Sequence, residues 1–310
     1  MRLPLRSFAR LLALLLPLSL ASPALAAPLT PLATPTTVTP LLTPALAGEG
    51  RWAPAGRVVD GHAAIYTTFL RPPQNGSARA GVAWIDPRLV RATLYSGSLS
   101  PGGYFWKYTA PVSREAAASL VAAFNGGFLL KDSHGGYYSE HHLVAALVPG
   151  DASLVIYRDG SMAVGAWGRD VTMTPNVVAV RQNLTLLVDH GAPVPGLYRY
   201  DTSAWGFALN KVVDTPRSGL GVTASGAFVY VEGAMNITDL ARLLVRAGAV
   251  RAMVLDMNPL WPIFATYTPD SPTGYASPGN GRDLNPAMVQ TPARFFEPAY
   301  ARDFVTLSAR

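Results

Sequence analysis

Apolar and polar positions alternate along two early stretches, RVVDGHAAIYTTFL from Arg57 and GVAWIDPRLVRATLYSG from Gly81, with the period of half-buried strands. A sharper signal is SLVIYRDGSMAVGAWG, where Asp159-Gly160 divides two β-rich runs. Asp-Gly suits a hairpin because both central residues take positive φ. NLTLLVD, from Asn183 to Asp189, predicts another strand closed by His190-Gly191. Ser113 followed by Glu115, a run of alanines and SLVAAF predicts a short capped helix that delivers the chain to Asn125-Gly126-Gly127.

Leu240, Leu243, Leu244 and Ala247 recur at helical spacing behind a capping Asn236, with Asp239 in the first turn and Gly248 past the end. They predict an amphipathic helix from Asn236 to Gly248 that covers a sheet and takes no part in chemistry. GAFVYVEG precedes it and AMVLDMN follows it, a strand-helix-strand unit that favours a parallel pair. Ligands in such sheets gather beyond the carboxyl ends of strands, where Asp256 would emerge. The competing reading has Asp256 cap the Asn258-Pro259 turn. These elements predict a mixed α/β fold, a single domain with a central β-sheet flanked by a few helices. From Pro262 onward, turn signals predict ordered loops with short strands, and Arg294, Phe295, Phe296 and Tyr300 close over the core.

The N-terminus reads as a signal peptide over residues 1–26. Arg2, Arg6 and Arg10 supply the positive region, Leu11 to Leu20 the apolar core, and Ala24-Leu25-Ala26 the small residues of a cleavage site. A retained anchor is the alternative, although the apolar core is short for a bilayer. Residues 27–50 form a linker rich in Pro, Thr and Ala. Residues 51–310 form the domain. No later segment is long and apolar enough to cross a membrane, so the expected location is secreted or in the cell envelope.

With 310 residues, 49% hydrophobic and 14% charged, the chain can bury a substantial core. Cysteine is absent, which excludes disulfides, thiolate metal sites and a cysteine nucleophile. The net charge of +6 is scattered, with no basic run and no interleaved aromatic array, so no nucleic-acid partner is expected. Serine-hydrolase elbow, phosphate-binding loop, dinucleotide fingerprint and zinc-protease helix are all missing.

Two separated stretches fit together as parts of one site: AAFNGGF from Ala122 to Phe128, and the run from TPRSGLGV at Thr215 to VLDMNPLW ending at Trp261. Together they resemble the phosphodiester glycosidase family. Its blocks are an asparagine with two glycines before aromatics, then an arginine-bearing turn, a strand, a helix and a strand ending in Leu-Asp-Gly-Gly-Gly-Ser. Asn125, Gly126, Gly127 and Phe128 match the first block; Thr215, Pro216, Arg217 and Gly221 match the turn. The helix matches from Asn236 to Gly248, and Asp256 takes the aspartate position. Met257, Asn258 and Pro259 stand where the family has glycines.

The resemblance implies a phosphodiester glycosidase-like domain acting on a carbohydrate or sugar-phosphate substrate. It implies that Asp256 stabilises the sugar centre or activates water. Arg217, whose guanidinium fork suits a phosphate, would hold the leaving group or pair with Asp256. Asn125 and the backbone of Gly126 and Gly127 would orient the substrate, although glycines after a helix are also common stop signals. A glycosidase of the usual kind needs two carboxylates, and Glu140 is the second candidate with Asp170 in reserve. HGGYYSEHH, from His134 to His142, reads as a sugar-lining loop with His141 in contact and His134 or His141 able to act as acid or base. Adjacent histidines on an extended segment diverge, so no metal site is expected, and no cofactor is implied. Asn258 and Trp261, the latter a stacking platform, complete the set. The function expected is an exported hydrolase that cleaves a sugar from a sugar 1-phosphodiester or related glycoconjugate. The alternative is a non-catalytic glycan-binding cell-envelope protein that keeps the family fold, and the sequence leaves the oligomeric state open.

Overall fold

The computed structural model describes residues 29–103, 106–197, 202–206 and 212–310; the expected signal peptide lies outside them. The first strands are β1 (Ala53–Val59), β2 (His62–Leu70), β3 (Ala80–Ile85) and β4 (Val90–Tyr95). A single turn, α1 (Arg114–Ala117), leads into β5 (Leu120–Asn125), and α2 (Leu130–Ser133) leads into β6 (Tyr137–Ser139) and β7 (His142–Ala145). There follow β8 (Ala152–Tyr157), β9 (Met162–Ala166), β10 (Val177–Gln182), β11 (Leu186–Asp189), β12 (Ala192–Pro193) and α3 (Thr202–Trp205). The last third holds β13 (Thr215–Thr223), β14 (Phe228–Met235), α4 (Ile237–Arg246), β15 (Ala249–Asp256), β16 (Phe264–Tyr267), β17 (Gly281–Asp283) and β18 (Phe304–Ala309).

The strands form three antiparallel sheets, and the chain is mostly β, which corrects the mixed α/β architecture expected from the sequence. The large sheet runs β1-β2-β3-β14-β13-β15-β11-β12; the others run β7-β6-β10-β8-β9 and β17-β16-β5-β18-β4. One apolar core lies between the large sheet and the two smaller ones, holding Phe124, Leu220, Tyr230, Met253, Leu255 and Phe264. A second lies on the other face of the large sheet, where α4 packs Leu240, Leu243 and Leu244 against Ala252 and Val254. Residues 252–255 of β15 are therefore buried on both faces, which explains their unbroken apolar run.

The parallel pair was misread for a definable reason. Helix α4 does cross from β14 to β15, and those strands run the same way, but β13 lies between them and is antiparallel to each. TPRSGLGV, expected as a turn, is that strand. Its glycines admit close neighbours: a Cβ at Gly219 would lie 3.0 Å from Leu244 Cδ1, and one at Gly221 2.8 Å from Ala249 Cβ. LVAAF likewise forms a buried strand, paired with β16 and β18, rather than a helix. The helix expected there is only the turn α1, capped by Ser113 Oγ, which accepts from Ala116 N–H. Where both faces are buried, hydrophobic periodicity cannot separate strand from helix.

The Asp159-Gly160 hairpin and α4, with Asn236 as its cap, are found where the sequence predicts them, although of the two turn residues only Gly160 takes positive φ. The C-terminal segment goes beyond loops and short strands, because β18 sits inside its sheet between β4 and β5. Residues 29–50 carry no helix or strand. They lie along the domain, with Val38 buried and Glu49 ion-paired to Arg71 at 3.0 Å.

Candidate functional site

Asn125 ends β5 in the middle of a buried polar network. Its Nδ2 donates to Gly126 O (2.8 Å) and Ser218 Oγ (3.0 Å), and its Oδ1 accepts from Tyr230 Oη (2.7 Å) and Ile263 N–H (3.1 Å). A side-chain amide has two donor hydrogens and two acceptor lone pairs, and all four are used. Asn125, at the end of β5, links β13, β14 and the residue before β16, and retains no free position for a ligand.

The glycines after it make room for charged side chains rather than for a ligand backbone contact. A Cβ on Gly126 would collide with the Asp303 carboxylate, and one on Gly127 would lie 2.9 Å from the Arg181 guanidinium. Arg181 and Asp303 form a buried pair, Nε to Oδ2 at 2.7 Å, and Arg181 Nη2 also donates to Phe128 O. Asn183 Nδ2 donates to Val254 O and Leu255 O while its Oδ1 accepts Phe128 N–H, tying this loop to the end of β15.

Asp256 emerges there through a β-bulge. Ser218 stands opposite Asp256 and Gly219 opposite Val254, so Leu255 is an extra residue. The bulge turns Asp256 toward the inter-sheet side, where its N–H donates to Ser218 Oγ (3.2 Å). Its Oδ1 accepts Met257 N–H (2.7 Å), and its Oδ2 faces Arg302 Nη2 at 3.3 Å. Asp256 is only 2% exposed. Burial, resisted by Arg302, pushes its carboxyl up to about 7. Arg302, 6% exposed, is stacked on Trp261 at 4.8 Å, and its Nη1 is buried without a hydrogen-bond partner among the described residues. Trp261 in turn meets Tyr300 at 6.0 Å between ring centres, and Asn258 shapes the turn by accepting Leu260 N–H (3.0 Å).

Arg217 does not join this cluster. It neighbours Ser218 on a strand, so the two side chains face opposite ways. Its Nε donates to Met235 O (2.7 Å), its Nη2 to Val213 O (3.3 Å), and its Nη1 lies 3.4 Å from Met257 Sδ. Burial lowers its pKa to about 10. No carboxylate among the described residues pairs with it, and the arginine beside Asp256 is Arg302, beyond the stretch the sequence singled out.

A second buried carboxyl sits on the network and was not singled out by the sequence. Glu232 Oε2 lies 3.0 Å from Tyr230 Oη. Burial raises its pKa to about 8, so it keeps its proton near neutrality. Tyr230 has one hydroxyl hydrogen and two acceptor neighbours. A protonated Glu232 donates to Tyr230, which then donates to Asn125. Alternation along FVYVEGAM offered the signal, since a glutamate at an inward position of a strand is unusual.

Glu140 and His141 lie elsewhere, in a cleft between β4 and the β6-β10-β8 sheet. Glu140 accepts the N–H groups of Lys107 and Tyr108, each at 2.9 Å. Asp170 is a surface residue paired with Arg169 and Arg251. Among the described residues, no cluster of His, Asp or Glu could hold a metal ion, and no helix is long and apolar enough to cross a membrane.

Three antiparallel sheets carrying a buried polar cluster at the ends of β5 and β15, joined through Ser218 of β13, define the scaffold. Residues 118–256 match the profile of the phosphodiester glycosidase family, so the resemblance seen in the sequence holds over that segment. The match takes in Asn125, Arg217, Glu232 and Asp256 and stops short of Arg302. No curated protein matches the sequence. Among solved structures, the chain is similar to the zebrafish N-acetylglucosamine-1-phosphodiester alpha-N-acetylglucosaminidase catalytic domain, auto-inhibited by its pro-peptide. The identity is 16% and the TM-score 0.49, over 83% of this chain and 87% of that one. It is also similar to a hypothetical protein from Synechocystis, at 12% identity and a TM-score of 0.46, over 83% of this chain and 64% of that one.

Proposed function

We propose that this protein is an exported hydrolase that cleaves a sugar from a sugar 1-phosphodiester, with Asp256 and Arg302 at the reacting centre. The observation that carries the reading is the pairing of a buried carboxyl, pushed up to about 7 by burial, with a guanidinium that has one donor group unused among the described residues. A phosphate is a good leaving group, so the chemistry calls for charge stabilisation more than for a strong acid. Water would add its oxygen to the anomeric carbon and give a proton to ionised Asp256. The bond from that carbon to the phosphate oxygen would break, its electron pair leaving on a phosphate held by Arg302 Nη1. Glu232, Tyr230, Asn125 and Ser218 would fix the position of Asp256 through buried hydrogen bonds.

The burial of both charged groups favours a second reading, a glycan-binding protein that keeps the fold without turnover, with Trp261 as a stacking surface. One experiment separates the two. Purified protein is incubated with UDP-N-acetylglucosamine and with an N-acetylglucosamine 1-phosphodiester, and free sugar is measured beside Asp256→Asn and Arg302→Ala. Release by the parent, lost in both variants, supports the hydrolase. No release, with glycan binding retained in a folded protein, moves the reading to the binding protein.

A further inference from the structure

A cleft of about 580 Å³ opens between the edge strand β4 and the β6-β10-β8 sheet, and neither Asp256 nor Arg302 lines it. Its rim carries three exposed cations, Arg91, Lys107 and Arg158. None of the three has a carboxylate partner among the described residues. Arg158 Nη2 donates to Pro175 O at 3.1 Å, and Lys107 Nζ lies 5.1 Å from the centre of the Tyr108 ring. Glu140 is the one carboxylate in the lining, and it is engaged by two backbone N–H groups that hold the Lys107-Tyr108 segment in place.

The floor is equally specific. Thr93, Leu94, Ile156, Val178 and Ala179 form it, and Tyr108 and Tyr157 stand half-buried at its sides. The outer edge of β4 is closed at both ends, by Ala92 N–H to Gly160 O and by Ser96 N–H to Tyr108 O, each at 2.8 Å. Strand alternation turns Leu94 the same way, so its N–H and C=O face the gap between those closures. Unpaired guanidinium and ammonium groups around a partly apolar pocket with two aromatic side walls suit a ligand with an anion at one end and a ring to lie against tyrosine. A backbone-tracking polyanion would need a continuous basic stripe, whereas these three cations come from different strands and loops around one concavity.

We propose that this cleft is a binding site, separate from the Asp256 cluster, for a saccharide bearing a carboxylate, sulfate or phosphate. Arg91 and Arg158 grip the anion, Lys107 adds charge at the rim, and Tyr108 and Tyr157 flank the sugar ring. The site does not depend on turnover at Asp256.

The test is calorimetric titration of the purified protein with trigalacturonate, a chondroitin 4-sulfate disaccharide and glucose 6-phosphate, beside neutral maltotriose and a ten-residue oligothymidylate. Parent protein, Arg91→Ala/Arg158→Ala and Asp256→Asn are compared. At least one acidic saccharide is expected to bind about tenfold or more tightly than maltotriose, to weaken by about tenfold or more in the double variant, and to be unchanged in Asp256→Asn. The acidic probe that binds identifies the anion. The proposal is overturned if no acidic saccharide binds, if the double variant binds as the parent does, if only the oligonucleotide binds, or if Asp256→Asn alone abolishes binding. Circular dichroism of the double variant, whose replaced side chains are exposed, establishes that it is folded.

Discussion

Asp256 Oδ2 and Arg302 Nη2 approach to 3.3 Å, although one residue ends β15 and the other precedes β18 in a different sheet. The pair is the point at which the large sheet and the β5 sheet meet through charge, and Trp261 covers its guanidinium face. Arg217, on the adjoining strand, faces away from it.

This division predicts opposite outcomes for two arginine substitutions. Arg302→Ala removes the only described cation touching Asp256 and is expected to lower kcat/KM on a sugar 1-phosphodiester by about a hundredfold or more. Arg217→Ala removes a buried guanidinium that donates to two backbone carbonyls, and its principal effect is expected on stability, about 2–4 kcal/mol. Urea denaturation and initial rates on the same preparations check both. If Arg217→Ala loses activity at full stability, the assignment of Arg302 is wrong.

Gly126→Ala is expected to be among the most damaging single-methyl changes in the chain. The added carbon would meet Asp303 in its pair with Arg181, and a buried ion pair separated without water leaves two charges unsolvated. A loss of about 3–5 kcal/mol follows. At Gly226 no atom lies within 4 Å of an added Cβ, so Gly226→Ala suffers only the cost of its positive φ, about 1 kcal/mol. Equal denaturation midpoints for the two variants would sink the explanation.

The elements legible in the sequence were those with one exposed face. Helix α4 shows its period because Arg242 and Arg246 alternate with the leucines, and the β8-β9 hairpin is marked by Asp159-Gly160. What was not legible was burial on both sides. Leu120–Asn125 and the glycine-bearing β13 have no exposed face, so one reads as helix and the other as turn. The resemblance drew attention to Asn125, Gly126, Gly127 and Asp256, and the structure places these four around one network. Arg302 and Asp303 escaped notice because nothing local links them to Asp256; the only hint was a charged pair immediately before the alternating run FVTLSA.

Tyr230→Phe tests the polar network directly. The substitution keeps the ring and removes one hydroxyl, leaving Glu232 without its 3.0 Å partner and Asn125 Oδ1 with Ile263 N–H alone. A buried carboxyl deprived of its partner costs about 1–3 kcal/mol. Tyr66→Phe, at a residue only partly buried and outside the network, is expected to stay within about 0.5 kcal/mol. Thermal unfolding of the two variants side by side distinguishes a loss specific to the network from a general effect of removing a hydroxyl.

The pH dependence of stability follows from carboxyls whose pKa is raised on folding. Burial lifts Asp256 from 3.8 to about 7, Glu232 from 4.5 to about 8 and Asp151 from 3.8 to about 6. Below the ordinary values both states hold these protons. As pH rises, the unfolded chain releases them first, so the unfolded state binds fewer protons and stability falls until pH passes the folded values. Glu49, Asp159 and Asp170 are held below their ordinary values and act oppositely, but only in the acid range. The melting temperature is therefore expected to peak near about pH 4, where the two sets of carboxyls offset each other, and to decline toward about pH 8. Glu232→Gln cannot ionise, and its amide can still donate to Tyr230. Its decline over the same range should be visibly shallower than that of the parent. Parallel curves for parent and variant between about pH 5 and 8 would show that Glu232 does not keep its proton in the fold, and the Tyr230 hydroxyl would then donate to Glu232 rather than to Asn125.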